Sequence, residues 1–317
     1  MATAPLVSVG ILSYNRLEYL RVLIDSAREC IRYPNLQWVL VDGASVEPGL
    51  REYVEGLGFL DELVVEPCTH AEALNRVLEL ARGDYLMILP EDVQFVVRGG
   101  WLADLVELVR GEPRVGHVCF DAQRRTTIHR SFVATGVPFV RRRFRRYRTA
   151  SGREFLGYGD RRDGINGAGI MSFCRTEIWR ELGPWRTIEE LAVSNDSSLG
   201  AERDMELRYQ SSGLDLEAVL MRYPVAADVV TDPRGTKARV RAGNRRYGRY
   251  APPPEGRFYY RIWDDAELAG RFSRYEPAPG FEDYVEPLGF ELPLDGKGGL
   301  LKVSVIGEQE PYEVVGP

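Results

Sequence analysis

Apolar and polar positions along the first hundred residues follow two periods in turn. Residues 6–12 (LVSVGIL) form a short apolar run of buried-strand type. Ser13, Tyr14, Asn15 and Arg16 come next, and then Leu20, Leu23, Ile24, Ala27 and Ile31 recur at helical spacing. Pro34 and Asn35 mark a turn, and residues 36–42 (LQWVLVD) predict a second strand. Residues 63–65 predict a third. Ala71, Leu74, Val77, Leu78 and Ala81 predict a second amphipathic helix, stopped at Gly83. Residues 85–89 predict a fourth strand. This alternation of strand and helix argues for an α/β fold with a mostly parallel sheet and helices on both faces.

Beyond residue 100 the pattern loosens. Spacing predicts a helix over 100–110 and a strand over 115–121. Residues 124–164 have little period and are rich in Arg and Gly, as a long loop or a hairpin insertion would be. Short strands are expected over 169–174 and 216–221, and helices over 176–183 and 201–213, each stopped by Gly. After Pro252 no period is legible. That segment is expected to wrap the core or form a small appendage.

In sheets of this kind ligands bind beyond the carboxyl ends of the strands. Three polar clusters fall there: residues 13–16, 42–45 and the pair Glu91-Asp92. Two adjacent carboxylates at a strand tip repel each other. A divalent metal or a sugar-nucleotide ribose would compensate, and a solvated turn would tolerate them.

Composition narrows the classes. With 317 residues, 44% of them hydrophobic, the chain can build a sizeable core. A net charge of −6 and a pI near 5.4 do not fit a general nucleic-acid binder. Cys30, Cys68, Cys119 and Cys174 are far apart, which excludes a CxxC zinc site and fits a reducing cytoplasm. No leader-like segment or bilayer-length apolar run is seen, so a cytoplasmic protein is expected, with peripheral membrane contact left open. His70, His117 and His129 are not at metal spacing and read as structural or surface residues. Two segments interleave arginines with aromatics, RRRFRRYR (141–148) and KARVRAGNRRYGRY (237–250). Such segments grip single-stranded nucleic acid, diphosphates, anionic lipid or polyanionic acceptors.

The order of these pieces resembles the family-2 glycosyltransferases of GT-A fold. The residues that carry the resemblance are VSVGILSYNRLEYLRVLIDSA, LQWVLVDGAS, ALNRVLELARGDYLMILPEDV, NGAGIMSFCRTEIWRELGPW, AERDMELRYQSSG and GNRRYGRY, spread over residues 6–250. The resemblance implies a catalytic domain over 1–250, with a nucleotide-sugar half (1–125) and an acceptor half (126–250), and an extension over 251–317. It implies that Tyr14, Asn15 and Arg16 line the base and ribose of a nucleotide-diphosphate sugar, that Asp42 faces the base, and that Glu91 sits near the ribose or the metal. Asp92 would bind Mn2+ or Mg2+, and Asp204 would be the general base of an inverting transfer, with Glu202 its substitute. Arg245 and Arg246 would close over the diphosphate. The acceptor would be a saccharide, a lipid-linked carrier or a small molecule, or an anionic one held through Arg141 to Arg148. The chain departs from the family's pattern in three places. Pro90 stands where the first acid of the metal strand usually is, Gly43 where a second acid usually follows Asp42, and no His follows the base helix, which leaves Asp232 as the candidate oxygen ligand. These departures keep two other readings open: transfer to a modified nucleic-acid base, and a non-catalytic sugar-nucleotide-binding member of the fold.

Overall fold

The computed structural model describes residues 4–120, 145–157, 172–191, 197–214, 216–221, 225–228, 257–258, 260–272, 291–293 and 300–302. The first half follows the predicted alternation: β1 (Val7–Ser13), α1 (Leu17–Cys30), β2 (Leu36–Asp42), α2 (Leu50–Glu55), β3 (Glu62–Val65), α3 (His70–Leu80) and β4 (Tyr85–Pro90). β1 lies between β2 and β4, parallel to both, and β3 is parallel to β2. Every residue of β1 is buried, and its two faces feed two cores. Val7, Val9 and Ile11 join α1 on one side, while Leu12 joins α3 on the other.

Two polar residues inside this core, Ser8 and Gln37, are satisfied together. Ser8 Oγ donates to Gln37 Oε1 at 2.6 Å and accepts from the Gly83 amide at 2.8 Å. Gln37 donates to the Leu80 carbonyl at 3.0 Å and also accepts from the Arg82 amide. This network ties the end of α3 to the start of β4. At Gly10 the helix comes very close: a Cβ there would sit 2.2 Å from Val77 Cγ1. The other end of α3 opens with a capping box between Thr69 and Glu72.

The second half adds β5 (Val93–Phe95), β6 (Val97–Arg98), α4 (Trp101–Gly111), β7 (Val115–Cys119), β8 (Arg145–Arg148), β9 (Glu154–Gly157), β10 (Ser172–Arg175), α5 (Thr176–Leu182), α6 (Ile188–Leu191), α7 (Ser197–Ser211), β11 (Glu217–Met221), β12 (Ala226–Asp228), β13 (Trp263–Asp264), α8 (Asp265–Phe272), β14 (Glu291–Pro293) and β15 (Leu300–Lys302). The main sheet has the order β3-β2-β1-β4-β10-β7-β11-β9-β8. Within it β10 runs against β4 and β7, and β9 runs against β11 and β8; the other strands share one direction. The sheet is therefore mostly parallel in direction, as the periodicity predicts. α3, α5 and α7 pack on one face, with Trp179, Trp185 and Met205 buried between them. On the other face Phe95, Trp101 and Phe120 stack in the core with α1 and α4.

The region without period contains a hairpin, β8 to β9, which extends the sheet to its edge. The arginine-rich run is thus strand from Arg145 to Arg148, and its earlier residues lie outside the described ones. Part of the C-terminal segment belongs to the core. Tyr260 and Gln94 exchange amide hydrogen bonds of 2.8 and 2.9 Å, β13 pairs with β6, and Trp263 and Leu268 are buried. No helix among the described residues is long and apolar enough to cross a membrane.

Candidate active site at the strand carboxyl ends

The carboxyl ends of β1, β2 and β4 meet in one cluster. Gly43 donates to the Ser13 carbonyl at 3.0 Å, which joins the first two ends. Asn15 adopts φ 54°, a left-handed conformation that Asn tolerates better than most residues. That turn lets its Oδ1 accept from the amides of Val46 and Glu47 at 2.7 and 3.1 Å, while its own amide donates to Ser45 Oγ at 2.8 Å. Ser45 in turn donates from both amide and hydroxyl to Asp42, at 2.7 and 2.6 Å. Asp42 is buried and fully engaged with Ser45, so it braces this loop from below.

Tyr14 is 60% exposed, an aromatic face left open at the rim. A Cβ at Gly43 would lie 3.1 Å from the Tyr14 ring. A side chain at position 43 would need the exposed Tyr14 ring to give by a few tenths of an ångström.

Arg16 joins β1 to β4. Its guanidinium contacts Glu91 Oε1 at 2.6–2.7 Å and Asp92 Oδ2 at 2.9 Å. The repulsion expected between adjacent carboxylates is thus relieved by an internal cation. Burial pushes the Glu91 carboxyl above the ordinary range; Arg16 pulls it back and Asp92 adds to the rise. Glu91 is a buried brace, whereas the Asp92 side chain keeps 30% of its surface open.

Among the described residues no group of three or more His, Cys, Asp or Glu could hold an ion. A hard cation shared with a diphosphate needs fewer protein ligands: one or two carboxylates, with phosphate and water supplying the rest. The partly open Asp92 fits that second kind of site. Asp232, Arg245 and Arg246 lie outside the described residues.

On the face of the sheet that carries α5, α3 and α7 meet. Asn75 clamps the segment after α5 by donating to the Trp185 carbonyl and accepting from its amide, both at 2.8 Å. Asp204 on α7 is buried between two arginines. Arg186 bonds it with two nitrogens, the Nε contact at 3.0 Å, and Arg208 donates to Oδ2 at 2.9 Å. Burial alone would raise the Asp204 carboxyl, but the hydrogen bonds and charges of Arg186 and Arg208 outweigh it and hold the group below the ordinary range. Glu202, the expected substitute for Asp204, faces His70 of α3 at 3.4 Å instead. His117 is buried under the Tyr209 ring at 4.9 Å, and His129 lies outside the described residues.

Sequence reasoning missed Arg186, Arg208 and the brace made by Ser45. Arg208 was within reach of it, four residues after Asp204 on the same helix. Arg186 was not, since only the packed fold brings it to Asp204.

Residues 8–161 match the family described as glycosyl transferase family 2. Over that span, just under half of the chain, the sequence is similar to that family, and the fold is of the GT-A kind. A mannosyltransferase from Pyrobaculum calidifontis, PcManGT, solved in complex with GDP-Man and Mn2+, is similar to it in fold. Identity is 20% and the TM-score 0.50, over 89% of this chain and 68% of that one. S. aureus TarS is 15% identical with a TM-score of 0.47, over 72% of this chain and 37% of TarS. The uncharacterized protein y4gI of Sinorhizobium fredii (strain NBRC 101917 / NGR234) is 28% identical over 123 residues, which take in 37% of this chain and 13% of that protein. The family-2-like chain thus spans well under two thirds of TarS and of y4gI.

Proposed function

We propose that this family-2-like protein transfers a sugar from a nucleoside-diphosphate donor to a hydroxyl acceptor, with inversion at the anomeric carbon. The observation that carries the reading is the single polar edge built by Asn15, Arg16, Ser45, Asp42, Glu91 and Asp92 from three strand ends. It has the parts a nucleotide sugar needs. Tyr14 offers an open ring for a base, Asn15 and Asp42 hold the loop that frames it, and Arg16 places a guanidinium beside the carboxylates. Further support comes from PcManGT, which shares the fold and was solved with GDP-Man and Mn2+.

Asp92 is the residue that would hold Mn2+ or Mg2+ together with the donor's phosphates. Such a cation, when bound, neutralises charge on the leaving diphosphate. The chain's own residues do the rest. The acceptor hydroxyl gives its proton to Asp204, its oxygen bonds the anomeric carbon, and the anomeric bond to the diphosphate breaks with its electron pair on phosphate oxygen. General-base help of this kind is worth about 10²–10⁴-fold. Glu202 is the second candidate, favoured by its freedom from the arginine pair that holds Asp204.

The test is a thermal-shift titration with UDP, GDP, CDP, ADP and dTDP, each with and without manganese. A ligand at 100 Kd stabilises the native state by about 2.7 kcal/mol. One nucleotide raising Tm only with manganese, and losing that response in Asp92→Asn, is the expected result. No response to any of them overturns the donor-binding reading.

A further inference from the structure

The surroundings of Asp204 say more about the acceptor than the sequence does. Two guanidiniums flank one carboxylate, and they are not equivalent. Arg208 sits on the same helix and spends its other nitrogens on the carbonyls of Leu182 and Pro184, so it is fixed in place. Arg186 comes from the loop after α5, and its side chain is 46% exposed while that of Asp204 is 7% exposed. Its fork grips Asp204 with Nε and Nη2. The same fork fits any other carboxylate or phosphate with equal geometry. Among the described residues, Glu190 of α6 also acts on Arg186 through space, and His70 of α3 faces Glu202.

A base locked in a two-arginine clamp is shielded from an acceptor hydroxyl. Arg208 cannot leave without breaking its carbonyl contacts. Arg186 can, and a half-exposed guanidinium drawn off a carboxylate is best accommodated by another anion. We propose that Arg186 recognises an anionic acceptor, one bearing a phosphate or a carboxylate, and that this anion draws Arg186 off Asp204 and so frees the base. The proposal rests on the reading of Asp204 as the base. It links acceptor choice to catalysis through one side chain: a neutral acceptor leaves the clamp closed, and an anionic one opens it. The proton then passes from the acceptor hydroxyl to Asp204, and the bonds form and break as in the transfer described above.

The experiment follows the Asp204 carboxyl carbon by NMR in the full chain labelled at aspartate, assigned with Asp204→Asn. The pH midpoint is read alone and with glucose, glucose 6-phosphate or glucuronate. In the wild type the midpoint rises with one or both anionic sugars and stays put with glucose; which anion acts separates phosphate from carboxylate recognition. In Arg186→Gln the midpoint is already raised and no sugar moves it. Transfer to an anionic acceptor then falls by roughly 10–100-fold relative to a neutral one, the scale of a lost charged hydrogen bond. A wild-type midpoint unmoved by either anion overturns the proposal, as does an Arg186→Gln midpoint equal to that of the wild type. Failure of the base reading looks different: Asp204→Asn would keep its transfer rate while the anion response persisted in the wild-type spectrum.

Discussion

At the scale of residues, the site is built from side chains that solve one another's problems. Arg16 is the clearest case, because without it Glu91 is a buried charge with no counterion. Arg16→Met is expected to cost roughly 3–5 kcal/mol, the usual penalty for stranding one partner of a buried pair. Adding Glu91→Gln should restore most of that in chemical denaturation, and a double variant no more stable than Arg16→Met would refute the pairing. Metal-supported nucleotide affinity should stay weak in both, by about 10–100-fold, because a residue that orients a ligand is missing; calorimetry with manganese reads it. Asn15 offers a second check. Asn15→Ala loses both the left-handed tolerance and an acceptor for two amides, a loss of about 1–3 kcal/mol, whereas Asn15→Asp keeps the acceptor and should melt near the wild type. The polar character of these positions was legible in the sequence, since they follow apolar runs directly. Their partners were not. The pairing of Arg16 with Glu91 spans 75 residues, and nothing local announces it.

Elements position the site through close contact between strand and helix. Gly10 lets α3 approach β1, and a methyl group there meets the stiff branched side chain of Val77. Gly10→Ala should lose about 1–3 kcal/mol through overpacking, and Val77→Ala in the same chain should recover part of it. Equilibrium urea unfolding measures both. α3 also reaches the segment that carries Arg186 through Asn75. Asn75→Ala leaves the Trp185 amide and carbonyl without their partner, so the segment carrying Arg186 loosens. The expected signature is a lowered kcat with little change in nucleotide affinity, compared by steady-state kinetics and calorimetry. The helices and strands of the first ninety residues were legible because both periods are clean there. α2, β5 and β6 were not: with six, three and two residues they are too short to carry a clear period. The hairpin β8–β9 stayed ambiguous because arginines occupy most of its first strand and hide any alternation.

At the scale of the whole molecule, the C-terminal segment is where expectation and structure differ most in kind. Its sequence has no period, yet Tyr260, Trp263 and Leu268 fill the core beside β5, β6 and α4. Their order comes from partners far away, such as Gln94, rather than from local pattern. A chain ending at residue 256 should therefore expose apolar surface and deprive Gln94 of its two bonds to Tyr260. It is expected to melt well below the full chain in a thermal scan, while a chain ending at residue 272 should keep most of that stability. Equal melting of the two would mean that the 260–272 contacts contribute little.

The strand order has one more consequence, for the time before folding is complete. β10 lies between β4 and β7, yet it is made of Ser172–Arg175, more than fifty residues after β7 ends. As the chain leaves the ribosome, β4 and β7 must wait with bare edges until that strand arrives. Unpaired apolar edges template association with other chains. The interval in which this protein is most in need of a chaperone is thus set by the order of its strands: it opens when β4 emerges, narrows when β10 slots home and closes only once β11 has covered the far edge of β7.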